Sequence, residues 1–264
     1  MNIKNHRFLS GNSLKILASV AMVIDHVGLL FFPYDFAFRK IGRLSFPIFA
    51  FLLAEGCKYT RNKLKHFLLL FGLTVLCQVG YYVFAGDTYL SVLVTLCLAQ
   101  ICIFALQFFK QALFQEKTVL SKIGAFFTFL GAIAFTATFC KLFSVEYGFW
   151  GCMLPLFVSL FDFHSPIPKK TEDSSDLKQP SGVLQKVKAL DTPITQYLCF
   201  AVGLSLCVLF SKSALPKFYA FFSLIPVALY SGKRGKHTLK YFFYIFYPLH
   251  LVLLEGIYML LYFL

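Results

Sequence analysis

Apolar runs long enough to cross a lipid bilayer recur along the whole chain, and they constrain its fold more than any other feature. A helix needs roughly 20 consecutive apolar residues to span the hydrocarbon core, and short charged clusters separate many such runs here. Hydrophobic residues make up 58% of the 264 positions and charged residues only 14%, whereas soluble domains carry roughly 25% charged residues. We therefore predict an all-α, polytopic membrane bundle and exclude a soluble globular domain.

Nine transmembrane helices are predicted, within a single membrane domain that covers residues 1–264. Their bounds are 14–32, 44–57, 66–85, 89–109, 123–143, 147–163, 195–211, 217–231 and 241–263. Asp25 and His26 interrupt the first run, so we interpret it as an uncleaved span rather than a signal peptide. The polar, Pro-containing segment 164–194 is predicted to be a flexible cytoplasmic loop.

The basic residues indicate how the chain is oriented. Lys and Arg number 25 against 12 Asp and Glu, and they concentrate in alternate connections. The positive-inside rule then places the N-terminus in the cytoplasm. Because these charges lie between apolar runs rather than on one soluble face, we expect no nucleic-acid partner.

Residues 33–43 break this pattern, because Arg39, Lys40 and Arg43 fall in a connection predicted to face outward. Either the alternation fails there, or these charges fold back into the protein toward a ligand.

The eight cysteines do not form a recognisable site. None belongs to a CxxC pair, and most lie within apolar runs, where cysteine usually behaves as a small hydrophobic residue. We therefore predict neither a metal site nor a disulfide framework.

The first span carries polar side chains that a lipid environment does not explain. Asp25 and His26 lie well inside the apolar run and Lys15 begins it, and charged groups inside a span are functional candidates because they are costly. Eleven residues turn a helix through about 1100°, so Lys15 and His26 share one face about 16 Å apart. The small side chains of Ala18 and Ser19 between them would let a ligand lie along the helix.

His26 is a candidate general base, since an imidazole takes and returns protons near neutral pH. Asp25 points about 100° away from it, and we expect it to pair with Arg39 or Arg43 of a neighbouring helix. A structural Asp–His contact that fixes helix packing is the alternative interpretation.

Several segments, in matching order along most of the chain, resemble the TraX family of conjugal-transfer pilin acetylases. They are 22–28 (MVIDHVG), 41–53 (IGRLSFPIFAFLL), 60–62 (TRN), 147–151 (YGFWG), 230–235 (YSGKRG) and 240–251 (KYFFYIFYPLHL). The departures are mild, since Glu146 stands where the family often has Asp and Ser231 where it often has Asn.

The resemblance implies an activity. TraX proteins are similar to a wider group of membrane acyltransferases that use acyl-CoA, and the Arg/Lys-x10-His pattern of that group matches Lys15 and His26. It implies a bacterial inner-membrane enzyme that moves an acetyl or other acyl group from acetyl-CoA or another acyl-CoA, a co-substrate rather than a permanently bound cofactor. The acceptor would be a hydroxyl or amine of a pilin-like peptide, a glycan or a lipid. His26 would be the base, and Lys15 would help to hold CoA from the cytoplasmic side.

The candidate site combines residues of several spans. The catalytic candidates are His26, Asp25 and Arg43; the acyl-CoA-binding candidates are Lys15, Arg61, Lys233 and Arg234; further candidates are Arg39, Glu55, Tyr247 and His250. Arg and Lys suit the phosphates of CoA, and Arg43 or a tyrosine such as Tyr247 could stabilise the oxyanion. The basic candidates could instead be topology markers, and His250 a packing hydrogen bonder.

Two other functions remain open. A proton-coupled secondary transporter would use Asp25, His26 and Glu55 as a proton relay and would need no CoA. A non-catalytic membrane assembly protein would lose no function when His26 is replaced by a neutral residue. Binding of acyl-CoA to the purified protein discriminates between these functions and an acyltransferase.

Overall fold

The computed structural model describes residues 7–86, 89–114, 118–163, 186–210, 217–235 and 240–263. Within these ranges the chain is helical apart from turns and two isolated β-bridges. The helices are α1 (Gly11–Phe31), α2 (Phe36–Gly42), α3 (Ser45–Tyr59), α4 (Lys63–Ala85), α5 (Val92–Phe114), α6 (Val119–Leu142), α7 (Gly148–Ser159), α8 (Pro193–Phe210), a 3₁₀ helix (Lys217–Ser223), α9 (Leu224–Ala228) and α10 (Lys240–Phe263).

Six of these helices are long and apolar enough to cross a membrane: α1, α4, α5, α6, α8 and α10. Each has at least 18 residues and an apolar stretch with few charges. The predicted all-α membrane fold is confirmed at this level, and we describe the protein as a multi-pass membrane protein.

The other three predicted spans fall on shorter elements. The span predicted over 44–57 corresponds to α3 with 15 residues, that over 147–163 to α7 with 12, and that over 217–231 to the 3₁₀ helix followed by α9. A helix of 12–15 residues is roughly 18–22 Å long, which is less than the roughly 30 Å hydrocarbon core. Nine spans therefore remain a prediction, and most of the predicted 164–194 loop, residues 164–185, lies outside the described residues.

The chain divides into two compact units. The first unit comprises Met1–Leu52 and Val208–Leu264, and the second comprises Leu53–Cys207. The two ends of the sequence thus build one unit together, which brings the last helix, α10, into contact with the first, α1.

Glycines let α2 pack closely against α1 in the first unit. A Cβ on Gly28 of α1 would lie 2.2 Å from Cβ of Phe38, and a Cβ on Gly42 of α2 would lie 2.0 Å from Oδ1 of Asp25. Arg39 of α2 completes the contact, because its Nη1 donates to Oδ2 of Asp25 at 2.6 Å. The connection 33–43 therefore contains a helix that folds back onto α1.

The second unit is organised around α5, which packs against α4, α6 and α7. Over half of its apolar stretch is buried, whereas only 11% of that of α6 is, so α6 exposes most of its surface, as a lipid-facing helix does. Two fully buried polar side chains of α5 have partners: Gln100 binds His66 Nδ1, and the Thr95 hydroxyl donates to the Glu146 carbonyl.

A lysine at the end of α3 joins two carboxylates of the second unit. Lys58 Nζ lies 3.3 Å from Asp162 and 3.7 Å from Asp191, which precede and follow residues 164–185. Burial alone would lower the pKa of Lys58, but the negative charges of Asp162 and Asp191 raise it above its ordinary value. Lys58 therefore stays charged at neutral pH and holds Asp162 and Asp191 against the end of α3.

The Gly42→Ala substitution tests the α1–α2 contact. The added methyl would displace the Asp25 carboxylate, so overpacking and weakening of a partly buried ion pair should destabilise the protein by about 3 kcal/mol. The measurement is the thermal unfolding midpoint of the detergent-purified protein. Gly131→Ala in α6 is the matched control, because its Cβ would meet nothing within 4 Å. Equal midpoints for the two variants would contradict the role assigned to Gly42.

Candidate active site

His26 lies four residues from Met22 on α1, and this neighbour fixes its tautomer. The ring Nδ1 is 2.9 Å from the Met22 carbonyl oxygen. Because a carbonyl oxygen only accepts, Nδ1 carries the proton and donates it. Nε2 is then the basic nitrogen, and it is the atom of His26 that can take a proton from a substrate.

His250 lies beside His26, although 224 positions separate them in the sequence. Their ring centroids are 5.1 Å apart in an edge-to-face arrangement, with 68° between the planes. The His250 Nδ1 donates to the Phe246 carbonyl at 3.0 Å, so this ring also has its basic nitrogen at Nε2. Tyr247 lies next to the pair, with its ring centroid 5.5 Å from that of His250.

The Asp25 carboxylate is engaged by α2 rather than by His26. The sequence left its partner open between Arg39 and Arg43, and the structure shows that it is Arg39. Arg43 caps the C-terminal end of α2, and its Nε is buried without a hydrogen-bond partner. The second oxygen of Asp25, Oδ1, is likewise buried and unpartnered. Polar atoms with unused hydrogen-bonding capacity thus lie on α1, α2 and α10 of the first unit.

The face of α1 between Lys15 and His26 is packed, contrary to the expectation that a ligand lies along it. Ala18, Ser19 and Met22 are all buried. Ala18 belongs to an apolar cluster that also contains Leu14 and residues of α3. The small side chains therefore admit a neighbouring helix rather than a ligand.

The GKRG segment after α9 closes the N-terminal end of α1. The Gly11 N–H donates to the Lys233 carbonyl at 2.8 Å, and the Asn12 N–H donates to the Arg234 carbonyl at 3.1 Å. The first N–H groups of a helix have no partner within the helix, so these carbonyls satisfy them. Glycine is needed at position 235 for two reasons. Its φ is +106°, and a Cβ there would lie 2.9 Å from the side-chain Nδ2 of Asn12.

This closure gathers basic side chains at one end of α1. The side chains of Lys233 and Arg234 are exposed, and Lys15 lies one helical turn after Gly11. From the sequence, all three residues were predicted to bind acyl-CoA, whereas the backbone role of the GKRG segment was not predicted. The two glycines that frame Lys233 and Arg234 were the available signal, because both adopt positive φ.

The remaining candidates belong to the second unit. Arg61 is exposed and lines an open cavity of about 670 Å³ with Lys63, Asn62, Phe104, Phe108 and Gln111. Glu55 is buried and accepts a hydrogen bond from Gln196 Nε2 at 2.6 Å. Of the sequence candidates, the first unit therefore holds all except these two.

The comparisons with known proteins agree with the motifs. The TraX protein family matches residues 10–170. The probable fimbrial assembly protein FimC, serogroup H1, of Dichelobacter nodosus is 30% identical over 268 residues, covering 93% of this chain and 94% of that protein. No solved structure matches the chain. The TraX family match over residues 10–170 spans more than half of the chain and contains α1, with His26, and α2. The chain therefore belongs to the TraX family.

Proposed function

We propose that this protein is an inner-membrane acyltransferase that moves an acetyl or other acyl group from acyl-CoA to a hydroxyl or amine of an acceptor. The observation that carries the proposal is His26, whose Nδ1–H is committed to the Met22 carbonyl and whose Nε2 is left as a base inside a membrane helix. An imidazole in this state suits general base catalysis. Family membership supports the same reaction class.

The chemical step needs one base. His26 Nε2 takes the proton from the acceptor O–H or N–H, and the freed electron pair attacks the thioester carbon. The C–S bond then breaks, and His26 returns the proton to the sulfur of CoA, so the base is regenerated. Arg43, with its buried and unpartnered Nε, is suited to stabilise the oxyanion that forms on the thioester carbonyl oxygen when the carbon is attacked.

The orientation in this proposal follows the charges. Basic connections would face the cytoplasm, which puts the N-terminus and the Lys15, Lys233 and Arg234 end of α1 on the side where acyl-CoA is made. The acceptor would be a pilin-like peptide, a glycan or a lipid. Of these, the peptide is favoured by the similarity to a fimbrial assembly protein.

A non-catalytic assembly role is the second candidate, because that relative is described as a probable fimbrial assembly protein. It differs from the enzyme in one measurable respect: it requires no proton acceptor at position 26.

The His26→Gln variant tests the enzyme directly. Gln keeps polarity but cannot act as a base at neutral pH, so transfer of label from [¹⁴C]acetyl-CoA into macromolecules of membrane vesicles should fall at least about 100-fold. His66→Gln is the matched control, since His66 lies in the second unit and is bound to Gln100; its rate should stay within about twofold. Undiminished acetyl transfer in His26→Gln vesicles with equal protein content would contradict the proposed enzyme. Normal fimbrial assembly in cells that carry this variant would favour the assembly role.

Removal of single basic residues tests where acyl-CoA binds. Lys15→Ala and Arg234→Ala should each raise the KM for acetyl-CoA about tenfold with little change in kcat, because a charge-assisted hydrogen bond contributes roughly 1.5 kcal/mol or more. Arg61→Ala tests the cavity of the second unit by itself, and an unchanged KM in that variant would remove Arg61 from the acyl-CoA-binding candidates. Lys65→Ala, an exposed basic residue close to Arg61 in the sequence, serves as the control. An unchanged KM in both Lys15→Ala and Arg234→Ala would contradict the assignment.

A further inference from the structure

His250 is a buried residue of α10, a helix whose other described side chains are exposed or only partly buried. Only 6% of the apolar stretch of α10 is buried, and among its described side chains His250 alone is buried, at 5% exposure. The helix therefore turns one imidazole inward, against α1, and places it next to His26. Lipid contact and bulk packing would be served by an apolar residue at this position.

The His250 Nε2 atom is an acceptor without a donor. Its ring proton lies on Nδ1, which donates to the Phe246 carbonyl, and Nε2 is buried with no hydrogen-bond partner. His26 has the same tautomer, so its Nε2 is also an acceptor while the ring is neutral. The two basic nitrogens cannot bond each other in this state, because neither carries a proton.

Protonation of His26 changes that relation. The ring centroids are 5.1 Å apart, and an N–H···N bond of about 2.9 Å between two such rings requires about the same centroid separation. The separation of the rings therefore permits a proton on His26 Nε2 to be shared with His250 Nε2 once the two nitrogens face each other. The buried, unpartnered Nε2 of His250 would then accept a hydrogen bond.

The charged groups nearby are engaged by α2. The guanidinium of Arg39 on α2 carries a positive charge and pairs with Oδ2 of Asp25, the neighbouring carboxylate on α1. The other carboxylate oxygen, Oδ1, lies against Gly42 of α2. On α10 the phenol ring of Tyr247 lies beside His250. The described groups around the pair thus leave the neutral His250 ring as the acceptor best placed to stabilise a charge on His26.

We infer that His250 is a positioning residue of the acyl transfer, which accepts a hydrogen bond from His26 Nε2–H once His26 has taken the proton of the acceptor. This inference rests on the proposed function. The acceptor O–H or N–H bond breaks and the proton goes to His26 Nε2, where His250 Nε2 holds it by a hydrogen bond. When the thioester C–S bond breaks, the same proton passes to the sulfur of CoA, and both rings return to their neutral state.

A pair of substitutions at position 250 tests this role in the vesicle assay with [¹⁴C]acetyl-CoA. His250→Phe keeps an aromatic ring beside Phe246 but removes the acceptor, and kcat should fall about 10- to 100-fold with an unchanged KM. His250→Gln restores an acceptor oxygen near the place of Nε2, and it should recover most of the loss. The pH below which activity disappears should move downward in His250→Phe, because His26 then protonates less readily.

A double variant separates this role from packing. In the His26→Gln background the further change His250→Phe should cost nothing more, because His250 acts through His26. A packing role would instead lower activity in both backgrounds, would leave the pH profile unmoved and would not be rescued by Gln; that pattern overturns the inference. Full activity of His250→Phe alongside an inactive His26→Gln also overturns it, while leaving the proposed acyltransferase intact. An active His26→Gln removes the proposed function itself.

Discussion

The ion pair between Asp25 and Arg39 is the interaction on which the first unit depends. A carboxylate inside an apolar helix is expensive unless a cation and hydrogen bonds compensate it, and Arg39 supplies both at 2.6 Å. The contact exists only because Gly42 leaves room for the carboxylate and Gly28 leaves room for Phe38. One ion pair and two glycines therefore allow the 33–43 segment to fold back onto α1 as a helix instead of forming an exposed loop.

Because of this ion pair, Asp25 and His26 of α1 have different roles. With Asp25 committed to Arg39, the orientation of His26 has to come from elsewhere, and the Met22 carbonyl provides it. A backbone carbonyl fixes the tautomer without adding a formal charge, which suits a site whose neighbouring helix already carries Arg39. The result is a neutral base inside the membrane helix, with its basic nitrogen directed away from its own helix turn.

The lengths of the apolar runs predicted the long spans well, since α1, α4, α6, α8 and α10 begin and end within a few residues of the predicted bounds. Short elements were less predictable. The apolar run over 147–163 contains a helix of only 12 residues. Hydropathy did not predict this length, because it shows which residues avoid water and not where the helix ends. The Asp25 partner could be narrowed to two arginines from the break in the charge pattern, but the choice between Arg39 and Arg43 needed the helix register of α2.

The contacts that complete the site were beyond the sequence, because they join the two ends of the chain. Nothing local connects the GKRG segment to Gly11 or His250 to His26, and the relevant bonds are backbone carbonyls and ring edges rather than complementary charges. The Lys233 and Arg234 carbonyls bond the first turn of α1, and α10, the next described helix, also packs against α1. Basic side chains at one end of α1 and a second histidine beside its own are then consequences of one topological fact: the GKRG segment and α10 both contact the first helix.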